Sequence, residues 1–168
     1  MHSIPVREIM TSPVVTVTPE TLVMDAAELM EEHDIRRLPV VSEDGHLRGM
    51  LTDADVIEAE TAEYSNSNYG RSDAATWIRV ADVMSHDVVT VGRECTVGEL
   101  AATFVKHRVG GVPVICTTHD SPEGCPHELL GIVTETDIFQ LIAGDWQSAQ
   151  AENIVEAENI VGLCRAMA

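Results

Sequence analysis

Two short stretches of the chain set a hydroxyl and a carboxylate three residues apart, where an apolar run gives way to a helix start. They are Gly49-Met50-Leu51-Thr52-Asp53-Ala54-Asp55 and Gly131-Ile132-Val133-Thr134-Glu135-Thr136-Asp137. Thr-x-x-Asp at a helix start is a capping-box pattern, contributing about 1 kcal/mol to the helix. An ionised carboxylate in the same place is also a strong acceptor for a ligand's hydroxyls. The second constellation is Cys116, His119, Cys125 and His127, two cysteines and two histidines within twelve positions. Cys2His2 suits tetrahedral zinc, although the spacing is not that of a standard finger and one loop supplies all four groups. The alternative is a polar loop with incidental Cys and His. A Cys116–Cys125 disulfide is disfavoured for an intracellular chain, and Cys95 and Cys164 read as buried small apolar residues. Gly-x-Ser-x-Gly, a phosphate-binding P-loop and His-Glu-x-x-His are all missing from the sequence, so the expectation is a protein that is not an enzyme.

The elements that must position these residues come from an internal repeat. Val6-Arg7-Glu8-Ile9-Met10 is echoed by Val80-Ala81-Asp82-Val83-Met84, an offset of 84 − 10 = 74. The offset also relates Val14–Val17 to Val88–Val91 and Leu38–Val41 to Val112–Ile115; by the Thr-x-x-Asp stretches it is 131 − 49 = 82, an insertion of eight residues. Within a copy, Val14–Val17 predicts a strand. Thr18-Pro19-Glu20 predicts a helix start, with threonine as N-cap and proline in the first turn. Val23, Ala26, Ala27 and Met30, and Val97, Leu100, Ala101 and Phe104, lie at helical spacing. Leu38–Val41 and Leu47–Leu51 predict a hairpin through Glu43-Asp44-Gly45, and a helix opens at Thr52. Halves of this size bury apolar faces against each other. The expected organisation is a first copy at 1–60, a connection at 61–78, a second copy at 79–144 and a helical tail at 145–168.

The chain has 168 residues, 28 acidic against 10 basic, a formal charge of −18, and Lys106 as its only lysine. That balance argues against nucleic acid, whose phosphates are bound by Lys and Arg. No apolar run reaches the ~18–20 residues of a membrane span, and the first ten residues lack a signal-peptide core, so a cytoplasmic protein is expected. The acidity fits either a patch for a basic partner or cation or a surface adapted to very high salt. Because the acids are spread along the chain, a halophilic surface is favoured.

In this order, twice, over nearly 140 of the 168 residues, the Ile9-Met10-Thr11 and Val83-Met84-Ser85 lead-ins, the Leu/Val-Pro-Val strands and the Gly-h-h-Thr-x-x-Asp exits resemble the CBS (cystathionine-beta-synthase) domain family. The chain looks like a free-standing CBS pair, or Bateman module. The resemblance implies an α+β fold of tandem β-α-β-β-α repeats packed with pseudo-twofold symmetry, two clefts between them, and a homodimer. It also implies a regulatory role towards an unknown partner protein, through an adenine nucleotide (AMP, ADP or ATP, with AMP and ATP foremost) or S-adenosylmethionine; metal ions are a rarer ligand.

By position, the resemblance puts Asp55 or Asp137 on the ribose hydroxyls, with Thr52 or Thr134 near the phosphate. It adds Thr16, Val17, Ile35, Arg36, Arg37, Leu38 and Pro39 in one copy, and Thr90, Val91, Val109, Gly110, Gly111, Val112 and Pro113 in the other. Arg36 and Arg37 then either meet a phosphate or pair with Glu31, Glu32 or Asp34. Because Gly110-Gly111 stands where the first copy has Arg36-Arg37, the clefts are expected to be unequal, the Asp55 side better suited to a phosphate-bearing ligand. Two rivals remain: an interaction module in which both Thr-x-x-Asp turns are only caps, and a zinc-linked sensor centred on the 116–127 loop.

Overall fold

The computed structural model describes residues 3–66, 77–117 and 127–147. A 3-10 turn, Val6–Glu8, is followed by helix α1 (Val23–Glu32), strands β1 (Arg37–Val41) and β2 (Leu47–Thr52), and helix α2 (Asp53–Asn66). The second copy supplies α3 (Val80–Val83), β3 (Val91–Gly92), α4 (Val97–His107), β4 (Gly111–Ile115) and β5 (Leu129–Thr134). A final helix, α5, covers 135–147. The expected tail beyond 147, the 67–76 part of the connection, and Cys164 lie outside the described residues.

Each copy builds the same small sheet. β1 and β2 pair antiparallel with Arg37 opposite Thr52 and Leu38 opposite Leu51; β4 and β5 pair likewise with Gly111 opposite Thr134 and Val112 opposite Val133. β3 runs parallel to β4. The corresponding strand expected at Val14–Val17 is reduced to one parallel bridge between Val17 and Val40, held by Val17 N–H to Pro39 O (3.2 Å) and Val41 N–H to Val17 O (2.9 Å). The helical spacing read from the sequence is met: Val23, Ala26 and Met30 are buried on α1, and Val97, Leu100 and Phe104 on α4.

One expected boundary is corrected. Thr18 does not cap α1; the helix begins at Val23 with Leu22 at its N-cap. Thr18 and Thr21 instead close a turn on each other, and the Val23 N–H is satisfied by Ile78 O at 2.9 Å. A tertiary carbonyl has taken over part of the capping role. In the second copy Val97 N–H finds Ile4 O at 2.8 Å, and Thr96 also caps α4 through a reciprocal box with Glu99. The Thr96 backbone N–H, then its hydroxyl, donates to the Glu99 carboxylate and holds its pKa below the ordinary glutamate value.

Those carbonyls belong to lead-in segments that cross between copies. Val6 of the first copy is fully buried in the second copy's core with Leu100, Phe104, Val112, Val114 and Val133, and Val80 is fully buried in the first core with Val23, Ala26, Leu38, Val40 and Leu51. Backbone bonds fix the exchange symmetrically: Val6 N–H to Cys95 O at 2.7 Å, Val80 N–H to Thr21 O at 2.8 Å. Ion pairs Arg7–Glu94 and Arg79–Glu20 repeat it at the surface. Glu20 and Glu94 are equivalent positions, since 94 − 20 = 74. Neither copy closes its core with its own residues alone.

Candidate functional site: the paired strand-to-helix turns

Each turn exists because a buried strand ends in a residue that caps the next helix. Thr52 donates to Asp55 Oδ2 from its backbone N–H (2.8 Å) and its hydroxyl (2.7 Å). The Asp55 N–H returns to Thr52 Oγ1 at 3.3 Å. In the second copy Thr134 donates to Asp137 Oδ2 at 2.6 Å from N–H and 2.7 Å from hydroxyl. The carboxylate half of the box is therefore present in both copies. It uses one carboxylate oxygen, Oδ2, and leaves Oδ1 of each aspartate outside the box. All four residues are half-buried.

The strand before each turn is locked against the preceding segment. Asp53 N–H donates to Arg36 O at 3.0 Å, and Glu135 N–H to Gly110 O at 3.1 Å. Of the remaining expected contacts, Leu38 and Val112 belong to the two cores, and Pro39 and Pro113 are fully buried. Val17 and Val91 are buried as well. Thr16, Ile35, Arg37, Thr90, Val109, Gly110 and Gly111 are half-buried, and Arg36 is exposed.

The two arginines part company. Among the described residues neither is ion-paired with Glu31, Glu32 or Asp34. The Arg37 side chain crosses to the second copy. A Cβ placed on Gly111 would collide with Arg37 Nη1 and lie 3.1 Å from its Cδ and 3.2 Å from Thr134 Cγ2. One on Gly110 would lie 3.3 Å from Arg37 Nη2 and 3.2 Å from the Glu135 carboxyl carbon. The double glycine is what admits the guanidinium there. Sequence reasoning passed over Glu135; its only signal is equivalence with Asp53, the acidic residue that opens α2.

Of the four Cys/His groups, Cys116 and His127 come together at the base of their loop, where His127 N–H donates to Cys116 O at 3.2 Å. His119 and Cys125 lie outside the described residues. The Cys116 thiol is buried and donates to Thr117 O. The hairpin turn of the first copy docks on this base through Leu47 N–H to His127 O (3.0 Å) and Leu129 N–H to Gly45 O (3.2 Å). Among the described residues no three His, Cys, Asp or Glu groups form a metal-sized cluster. Cys95 is half-buried, and burial, then the nearby Glu99 charge, pushes its thiol pKa up. No described helix is long and apolar enough to cross a membrane.

Comparison with known proteins agrees with this architecture. The chain is similar to the CBS domain pair of protein MJ0100, solved with 5′-methylthioadenosine and S-adenosyl-L-methionine: 27% identity, TM-score 0.66, 84% of this chain and 97% of that one. It is similar to Hypoxic Response Protein I, solved with two coordinated zinc ions: 30% identity, TM-score 0.62, 81% and 97% coverage. It is also 27% identical over 139 residues to L-aspartate semialdehyde sulfurtransferase of Methanocaldococcus jannaschii, but the match spans 83% of this chain and only 23% of that enzyme. The CBS domain model matches residues 6–62 and 80–144. With two matched segments, two equivalent sheets and two equivalent capped turns, the chain belongs to the CBS domain family, as a CBS pair.

Proposed function

We propose that the chain is a regulatory module that binds an adenosine ligand in the clefts beside Asp55 and Asp137 and transmits its occupancy to a partner protein. The observation that carries this reading is the half-used carboxylate. Each aspartate spends Oδ2 on its cap, and the cap fixes the direction in which Oδ1 is presented. An ionised acceptor held in that way suits a vicinal diol such as ribose. Similarity to a CBS pair solved with two adenosine derivatives supports the ligand class. Exchanged lead-ins supply the route for a signal, since a ligand that moves one copy's strands moves the other copy's core. Isothermal titration of the folded protein with AMP, ATP and S-adenosylmethionine is the test. At least one should bind; silence from all three rejects the reading.

Two further properties belong to the same proposal. Phe139, Ile142 and Trp146 on α5 and Ile57 on α2 are exposed apolar side chains, which supports a homodimer through these helices. The acidic, lysine-poor surface supports a cytoplasm of high salt. Sedimentation across a salt series reads both properties: a folded dimer is expected at molar KCl, and loss of folded structure on dialysis to low salt. A monomer at molar salt removes the dimer, and full stability at low salt removes the halophilic surface.

A second reading adds zinc at Cys116, His119, Cys125 and His127. Its support is the adjacency of Cys116 and His127 and the similarity to a zinc-bearing CBS protein. Metal analysis of untagged protein should find zinc in stoichiometric amount; none removes this reading.

A further inference from the structure

Each copy has a corner where one helix ends beside the start of the next, and the two corners carry opposite charge on the same backbone. Asp53 N–H to Arg36 O sets the start of α2 beside the end of α1, and Glu135 N–H to Gly110 O sets the start of α5 beside the end of α4. Asp34 and Arg108 are equivalent, since 108 − 34 = 74, and both follow their helix in the left-handed conformation, at φ 52° and 56°. Each corner exposes one large apolar side chain, Ile57 on α2 at 61% and Phe139 on α5 at 64%. These are equivalent too, since 139 − 57 = 82. The residues around them diverge. Glu31, Glu32 and Asp34 are matched by Val105, Lys106 and Arg108, and Glu58 and Glu60 by Gln140 and Ile142. Of the exposed acids at the first corner only Asp53 keeps an acidic equivalent, Glu135. Among the described ion pairs none uses Glu31, Glu32, Asp34, Lys106 or Arg108, so the opposite charges are not spent on each other within the chain.

We infer that the two corners form one self-complementary surface on which a second copy of the chain docks head to tail, the first-copy corner of each chain against the second-copy corner of the other. The inference rests on the helix-mediated homodimer proposed above and adds its orientation. A twofold dimer presents the same surface from both chains, so two poses can use both corners. Head to head sets Glu31, Glu32 and Asp34 against their own counterparts, and Lys106 and Arg108 against theirs. Head to tail sets acids against cations at both ends of the contact. Ile57 and Phe139 bring apolar surface in either pose, so they give attachment without direction. Charge supplies the direction, because like charges brought together reject a pose and opposite ones select it. A formal charge of −18 keeps chains apart over most of their surface; the Lys106–Arg108 corner is where another chain's acids are drawn in.

The test measures the dimer dissociation constant by sedimentation of the full chain, at the lowest salt that keeps it folded, where charges are least screened. The double variant Lys106→Glu with Arg108→Glu makes both corners acidic and should weaken the dimer about tenfold or more. Adding Glu31→Lys and Glu32→Lys to that variant restores opposite charge head to tail and should recover most of the loss. Head to head, neither change would matter, since like charges would face like charges throughout. Thiol cross-linking reads the orientation directly. A mixture of Ile57→Cys and Phe139→Cys chains treated with a short bismaleimide should give a cross-linked dimer containing one of each, and neither variant alone should link. Links formed by Ile57→Cys alone or Phe139→Cys alone, without the mixed product, overturn the inference. So does a dimer unmoved by the double variant, or one that the four substitutions together fail to recover. An unaltered chain that is monomeric at every salt rejects instead the homodimer beneath it, a result visible before any variant is made.

Discussion

Gly49→Ala and Gly131→Ala are each expected to destabilise the whole pair by about 1–3 kcal/mol, the usual range for overpacking a well-fitted site. A methyl on Gly49 would sit 2.7 Å from Met84 Sδ and 2.9 Å from Ser85 O, and one on Gly131 would sit 2.7 Å from Met10 Sδ and 3.0 Å from Thr11 O. A methionine sulfur can swing aside, but the carbonyls cannot. Met50 and Ser85 exchange two backbone hydrogen bonds at 3.0 Å each, and Thr11 and Ile132 exchange two at 2.9 and 3.1 Å. Relief therefore requires lifting a lead-in segment off the partner copy's strand. That loosens the same segment that buries Val6 or Val80. Because each lead-in completes the other copy's core, the loss should appear as one shifted transition in a urea titration, not as early melting of one copy. Gly144→Ala is the control. A Cβ there meets nothing within 4 Å, and a helical glycine replaced by alanine should gain about 0.5–1 kcal/mol. If Gly49→Ala or Gly131→Ala proved as stable as that control, the exchange of lead-ins would be the part of the fold to abandon.

That exchange was the feature hardest to see in the sequence. The repeat is legible because its apolar spacing is local: Val23, Ala26 and Met30 announce a helix face whatever they pack on, and the 74-residue offset carries the same face to Val97, Leu100 and Phe104. The Thr-x-x-Asp caps are legible for the same reason, since both partners lie within one turn. Val6-Arg7-Glu8-Ile9-Met10 gives no such local sign of which core receives it; that depends on chain path. The early start expected for α1 failed for a related reason. Thr18-Pro19 has the right residues for a cap, but Pro19 O and Thr21 O are engaged by Ala81 and Val80 N–H, which holds 18–22 as a docking segment. Arg36-Arg37 against Gly110-Gly111 was visible as a difference between copies. That the arginine of one occupies the space the glycines of the other leave empty required the two strands to be brought face to face. The Arg37 guanidinium thereby lies over Gly110 and Gly111 of the second copy.

The aspartates yield the second large prediction, because cap and ligand site use different oxygens of one carboxylate. Asp55→Ala and Asp137→Ala remove both, so each should cost about 0.5–2 kcal/mol of stability as a lost cap. Each should also weaken an adenosine ligand in its own cleft by about ten- to a hundredfold, the worth of a charged hydrogen bond. Alanine alone leaves the two effects entangled, since a frayed α2 or α5 start would disturb the cleft indirectly. Asparagine separates them. Its side-chain carbonyl can accept from Thr52 N–H and hydroxyl as Oδ2 does now, and asparagine is a good residue for satisfying helix-terminal donors. Its amide nitrogen, however, replaces Oδ1 with a donor, which cannot accept from a ribose hydroxyl. Asp55→Asn and Asp137→Asn should therefore melt within a few tenths of a kcal/mol of the unaltered chain and still lose most of the affinity that the alanine variants lose. The pattern to be measured is a stability loss confined to alanine and an affinity loss common to both. Were asparagine to keep full affinity in both clefts, the carboxylates would be caps and nothing more, and the interaction-module reading would replace the ligand sensor. Loss of affinity in one cleft only would assign the ligand to that copy.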